Sequence, residues 1–173
     1  MSSGFISSKE KEKNLGDLQL ISFALEGQQY GANIGHVKEV VRMIEVTKVP
    51  KAPRFVEGVI NYRGEIIFLL DLRKYLGLEN TENNNLDNPI IIIHAGDLRF
   101  GVIVDSVSEV FSISKSLIEP VPGIHALAEF LEGAVKLEGK LLLLLNFEKG
   151  LKNSEKKLFE KITKAFIEKI KNS

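Results

Sequence analysis

Few side chains in this sequence are of types that react, and their spacing does not assemble them. The three histidines, His36, His94 and His125, fall in separate stretches, and there is no cysteine. Neither an HExxH pair nor a Cys/His ligand spacing is present, so a zinc site is not indicated. No glycine-rich loop offers a cradle for phosphates, and no GxSxG elbow holds a serine nucleophile. The acids Asp71 and Asp105 stand at the ends of apolar runs far apart in the chain. Brought together, two carboxylates can do acid–base work. Such residues more often cap turns or pair with an arginine. The expectation is therefore a binding module without metal or cofactor. A small β-barrel enzyme or ligand-binding protein using Asp71 or Asp105 is the competing reading.

The polar groups that suit binding are Arg63 and Glu39. Arg63 sits in the turn Asn61-Tyr62-Arg63-Gly64, with a fork of donors suited to carboxylates and exposed carbonyls. Glu39 is placed to pair with it across a groove. An ordinary surface ion pair, worth less than about 1 kcal/mol, explains the two equally well. Val37, Gly58 and Val107 are apolar or small residues near the same polar groups. Glycine lets a partner's backbone come close, although relief of a bulge is the commoner reason for a residue like Gly58.

These residues lie on a duplicated frame. The stretch FVEGVINYRGEIIFLLDLRK, residues 55–74, reads as a β-hairpin, two apolar runs around a turn at Gly64. It matches FLEGAVKLEGKLLLLLNFEK, residues 130–149, position by position: Gly58 with Gly133, Gly64 with Gly139, Lys74 with Lys149. A second block, YGANIGHVKEVV from Tyr30, matches FGVIVDSVSEVF from Phe100 in the same order. The chain thus reads as a duplication of a unit of about 70 residues, its halves packed face to face. The apolar pattern is shared. The turn chemistry is not, since Arg63 becomes Glu138 and Asn61 becomes Lys136 in the second copy.

Lys plus Arg and Asp plus Glu number 23 each, a balance that gives no pull toward nucleic acid or an anionic membrane. No apolar run is long enough to span a bilayer, and the first residues lack the core of a signal peptide. Residues 1–16 read as a disordered leader, and the Asn-rich run Glu79–Asn88 as the seam between halves of about 18–78 and 89–151. Hairpins are expected over Leu18–Ile34 and Ile90–Val104. Two prolines set an edge or loop over Val46–Pro53, and a short helix is expected near Ala126–Leu131. Leu141–Leu145 is a strand expected to be buried on both faces. Leu158, Ile162, Phe166 and Ile170 recur every fourth residue opposite lysines. They predict an amphipathic helix over 152–173, capped at Asn153-Ser154 and sealing the β core.

Taken together, Val37-Lys38-Glu39-Val40, Thr47-Lys48-Val49-Pro50, Gly58-Val59-Ile60-Asn61 with Arg63-Gly64, Asp71-Leu72-Arg73 and Val104-Asp105-Ser106-Val107 resemble the CheW-like domain family of bacterial chemotaxis. The resemblance covers Leu18–Leu151. It implies an all-β domain over 17–151, built of two intertwined five-stranded SH3-like barrels that share strands and a core. It further implies a cytoplasmic, non-catalytic adaptor without a cofactor, recruited to membrane receptor arrays. Its implied partners are the cytoplasmic tips of chemoreceptors and the regulatory domain of the chemotaxis histidine kinase. An adaptor of a related motility or sensory array fits the same residues. Carried over by position, the receptor-facing residues are Val37, Glu39, Gly58, Asn61, Arg63 and Val107. Two departures stand out: Tyr62 replaces the family's usual leucine, and Asn146 stands where aspartate is common.

Overall fold

The computed structural model describes residues 16–42, 44–78, 87–122, 129–151 and 153–171. Among the described residues, runs of branched and aromatic residues form ten strands. They are β1 (Asp17–Leu25), β2 (Gln28–Asn33), β3 (Val37–Arg42), β4 (Val56–Tyr62), β5 (Glu65–Asp71), β6 (Pro89–Ala95), β7 (Leu98–Ile103), β8 (Ser106–Ser114), β9 (Leu131–Leu137) and β10 (Lys140–Leu145). Helix α1 (Leu72–Tyr75) follows β5, and α2 (Phe147–Gly150) follows β10. Helix α3 (Asn153–Lys171) ends the described chain.

The strands form two five-stranded sheets, ordered β8-β1-β2-β10-β9 and β3-β6-β7-β5-β4. The two orders are the same once each strand is replaced by its repeat counterpart. Each sheet is mixed, with a single parallel pair, β2 with β10 and β5 with β7. This is the SH3-like strand order, met twice. The expectation that the halves pack face to face is corrected here. Each half lends two strands to one sheet and three to the other, because β5 and β10 pair with β7 and β2 of the other half as well as with their own hairpin partners, and β3 and β8 cross to pair with β6 and β1.

Alternation along the strands creates three apolar cores. One faces the inside of the second sheet, with Ile60, Tyr62, Ile67, Leu69, Ile90 and Ile92. Another lies inside the first sheet around Leu20, Val135 and Leu144. The largest fills the space between sheets and includes Phe23, Phe68, Phe100, Phe130, Phe147 and Phe159. The named strands do not close either sheet into a ring. A single bridge, Thr47 with Val59, adds the loop after β3 to the β4 edge, and Glu119 with Ala134 does the same at β9.

These two bridges explain a repeated glycine. Gly58 (φ 153) and Gly133 (φ 157) lie where a Cβ would meet Thr47 O at 2.3 Å and Glu119 O at 2.8 Å. The backbone that Gly58 admits is the chain's own.

Helix α3 packs along β5. Phe159 is 1% exposed and sits 4.7 Å from the Phe68 ring, while Tyr75 OH donates to Glu155 at 2.8 Å. Burial of that ring contributes about 2–3 kcal/mol. The helix thus seals a face of the β core, as its periodicity predicts, though Phe159 anchors it and Leu158 is only half-buried. The cap expected at Asn153-Ser154 involves side chains outside the described set, as do the side chains of Phe166 and Ile170.

Two other expectations change. Leu142–Leu145 are buried, but Leu141 is 46% exposed, so the strand is not covered on both faces throughout. The helix expected at Ala126–Leu131 lies partly outside the described residues, and Leu131 opens β9 instead. The leader over 1–15, most of the Asn-rich seam and His125 also lie outside the described residues.

Candidate functional site

Strands β3 and β4 are the opposite edges of one sheet, yet their side chains meet. Glu39 on β3 accepts hydrogen bonds from the Tyr62 hydroxyl and, at 2.8 Å, from Arg63 Nε. The contact rests on the turn between β4 and β5. Arg63 and Gly64 have φ of 51° and 83°, the left-handed pair that a two-residue hairpin turn requires. Asn61 Oδ1 fixes the turn by accepting from Gly64 N at 2.8 Å. With the backbone so set, the Arg63 guanidinium lies 5.6 Å from the centroid of the Tyr62 ring, within cation–π range.

The electrostatics follow from these contacts. Hydrogen bonds from Arg63 and then Tyr62 hold the Glu39 carboxyl below its ordinary value. Its carboxylate in turn raises the Tyr62 phenol and pushes the Arg63 guanidinium further up. The triad is therefore fully ionised at Glu39 and Arg63 and neutral at Tyr62 near neutrality. Arg63 remains 71% exposed and Glu39 30%, so the pair faces solvent. Beside it, Arg99 donates to Glu65 at 2.6 Å. His94, facing Arg99 across the β6–β7 ladder, is pushed down by partial burial and then by the Arg99 and Lys38 charges.

The other sheet supplies an internal comparison. At the places of Glu39, Tyr62 and Arg63 it carries Glu109, Leu137 and Glu138, with the same left-handed backbone at Glu138 (φ 48). Two acids and a leucine cannot form this triad. The fold stands without it, so the Glu39–Tyr62–Arg63 arrangement is surface chemistry added to one half.

Asp71 and Asp105 meet on Arg73. The guanidinium, 3% exposed, bonds Asp71 Oδ2 at 3.2 Å and Asp105 Oδ1 at 3.3 Å. Asp71 also caps α1 through Arg73 N and Lys74 N, and Asp105 Oδ2 accepts from Glu26 N at 2.7 Å. Both carboxylates are consumed in tying β5, β7 and the β1–β2 turn together. Their bonds to Arg73 and to backbone N–H groups make them parts of a structural network, not a facing acid–base pair. Among the described residues no group of three or more His, Asp or Glu is placed to hold a metal, and no helix is long and apolar enough to cross a membrane.

The model of the CheW-like domain matches residues 19–155. The chain belongs to the CheW-like domain family. It is 30% identical to chemotaxis protein CheW of Klebsiella aerogenes over 149 residues, 85% of this chain and 89% of that protein. To chemotaxis protein CheW of Bacillus subtilis it is 33% identical over 130 residues, covering 74% of this chain and 83% of that one. In structure it is similar to the scaffolding protein TtCheW of Thermoanaerobacter tengcongensis, with a TM-score of 0.73 and 34% identity over 80% of this chain and 95% of that chain.

Within this CheW-like domain the sequence-derived residues divide. Glu39, Asn61 and Arg63 come together at the β4–β5 turn. Val37 lies two residues before Glu39 on β3, beyond a bulge, and packs against the inter-sheet core. Val107 holds the equivalent place on β8 of the other sheet, against the same core. Gly58 is buried beneath Thr47. Tyr62 is the residue that sequence reasoning passed over. Its departure from the family's leucine was the available signal, and its hydroxyl makes it the second donor to Glu39. Asn146 keeps the capping role of aspartate, accepting from Lys149 N at 3.1 Å.

Proposed function

We propose that this chain is a non-enzymatic adaptor of bacterial chemotaxis signalling that joins the cytoplasmic tips of transmembrane chemoreceptors to the regulatory domain of the chemotaxis histidine kinase. Membership of the CheW-like family supports the class of function. The observation that carries the site is the Glu39–Tyr62–Arg63 triad, present in one half of a duplicated fold and absent from the other. We assign the receptor-facing surface to Val37, Glu39, Asn61, Arg63 and Val107, with Gly58 setting the loop that flanks them. The adaptor unit is residues 17–151, each sheet curling as an SH3-like barrel around its own apolar core, with the segment 152–173 following it. It works in the cytoplasm, drawn to receptor arrays by its partners.

A receptor tip offers helices, and their Asp and Glu carboxylates, free C-terminal carbonyls and amphipathic faces suit a solvent-facing arginine and its apolar flanks. Each interface need only be weak, because an array presents many copies at once. The test is a binding titration of the protein with a receptor cytoplasmic fragment, comparing wild type with Arg63→Glu. The reversed charge faces Glu39 directly and removes the guanidinium. Receptor affinity is expected to fall at least about tenfold, with the thermal melt nearly unmoved because Arg63 is exposed. Unchanged affinity, or a collapsed melt, overturns the assignment.

A further inference from the structure

Arginine meets carboxylate in different ways in this chain. In the buried network Arg73 approaches Asp71 side-on, Nε to Oδ1 at 3.3 Å and Nη2 to Oδ2 at 3.2 Å. That is a closed fork, which engages both carboxylate oxygens and one edge of the guanidinium. Arg63 also meets Glu39 through Nε, at 2.8 Å from Oε1, but no second bond completes the fork. The Tyr62 hydroxyl donates to that same oxygen. Glu39 Oε2 and Arg63 Nη1 and Nη2 make no hydrogen bond to a described residue. Arg99 and Glu65 share a single bond too, but both are well exposed and no other described residue bonds that carboxylate, so the pair is free to turn. Glu39 is held. The Tyr62 side chain is 8% exposed and packs in the apolar core of its sheet, which fixes where the hydroxyl stands.

We infer that Tyr62 is a specificity-determining residue of the receptor-facing surface: its hydroxyl holds the Glu39–Arg63 pair open, and the open pair takes a side-chain amide, Asn or Gln, of the partner. This rests on the reading of Arg63 as receptor-facing and narrows what that arginine recognises. The open pair shows a donor edge, Nη1 and Nη2, beside an unused acceptor, Oε2. An amide carries an acceptor and a donor on one carbon and matches both. A carboxylate matches the guanidinium, but it has no proton for Oε2 and is repelled by the charge there. An ammonium suits Oε2 and is repelled by Arg63. Remove the hydroxyl, and Glu39 is free to turn its second oxygen to Nη2 and close the fork, as Asp71 does with Arg73. The amide then loses Oε2 and half of the donor edge together.

The test is isothermal titration of the full chain with a receptor cytoplasmic fragment. Tyr62→Phe keeps the ring and deletes only the hydroxyl. It is expected to weaken binding about tenfold. In an Arg63→Lys background, where no fork can form, the same change is expected to alter affinity less than about twofold. A hydroxyl that merely braces the fold costs the same in both backgrounds. On the partner's side, each Asn, Gln, Asp and Glu of the fragment's tip is replaced in turn by Ala. One amide is expected to be worth about tenfold, and Tyr62→Phe to add little once that amide is gone. Wild-type binding by Tyr62→Phe, equal losses in the two backgrounds, or a tip sensitive only at carboxylates each overturns the inference. Arg63→Glu in the same titration separates the two levels. If it weakens binding while Tyr62→Phe does not, the inference alone falls. If it also leaves binding unchanged, the receptor-facing assignment falls and takes the inference with it.

Discussion

Removing the Arg73 side chain is the sharpest test of how this adaptor is held together. Arg73→Leu keeps volume and deletes the cation between Asp71 and Asp105. Asp71 has a side-chain exposure of 0% and receives the Arg73 side chain through Nε at 3.3 Å and Nη2 at 3.2 Å. What remains to the carboxylate is its two backbone donors, Arg73 N at 3.0 Å and Lys74 N at 3.4 Å. A buried charge stripped of its partner costs about 3–5 kcal/mol. Because the backbone donors persist, the lower end of that range applies. In a chain of 173 residues it corresponds to a fall in Tm of roughly 6–12 °C. The repeat supplies the rescue. Asn146 occupies the place of Asp71 and still caps α2, so Asp71→Asn in the Arg73→Leu background removes the stranded charge and keeps the cap. The double variant is expected to recover about 2 kcal/mol, the residual cost being the amide's unmatched N–H groups. Urea unfolding followed by circular dichroism measures all four corners of the cycle. If Arg73→Leu costs less than about 1 kcal/mol, or if adding Asp71→Asn makes matters worse, the network is not a buried, mutually dependent one.

Two further outcomes follow from separate features. Gly58→Ala places a methyl group 2.3 Å from Thr47 O at φ 153 and is expected to cost on the order of 2–4 kcal/mol in urea unfolding. Gly64→Ala, with nothing within 4 Å of the new methyl group, is expected to cost only about 1–2 kcal/mol of backbone strain; equal costs would refute the bridge as the reason for Gly58. All three tyrosines have phenols raised above the ordinary value of 10, Tyr30 and Tyr75 by burial and Tyr62 by its bond to Glu39. A group raised on folding stabilises below its unfolded value, and that stabilisation is lost as pH rises through the folded one. The near-ultraviolet tyrosinate signal is therefore expected to lag behind free tyrosine above pH 10 and to appear together with alkaline unfolding; one tyrosine titrating at its free value would contradict this.

The sequence made the hairpins legible because each is local: an apolar alternation, a Gly64 or Gly139 at the turn, and a match to its own copy. It made Glu39 and Arg63 legible as a candidate pair through the repeat, where Arg63 becomes Glu138. It did not show which strands would be neighbours. Parallel pairing of Tyr30 with Leu143, or Phe68 with Phe100, leaves no mark in the residues between them. For the same reason the meeting of Asp71 and Asp105 on Arg73 was open, since three residues from two halves converge only after the strands are exchanged. Leu141 looked like core because composition cannot tell a covered leucine from one left exposed near a hairpin tip. Gly58 was ambiguous between a partner's backbone and the chain's own, and only the position of Thr47 resolves it.

The crossing of strands between halves also governs how this chain comes off the ribosome. The β1–β2 hairpin emerges early, but its neighbour β10 is among the last strands made, so Tyr30 must wait for Leu143 with one edge bare. A nascent chain released before β10 would expose that edge to any other strand in reach. Neither repeat is therefore a unit that completes a sheet alone.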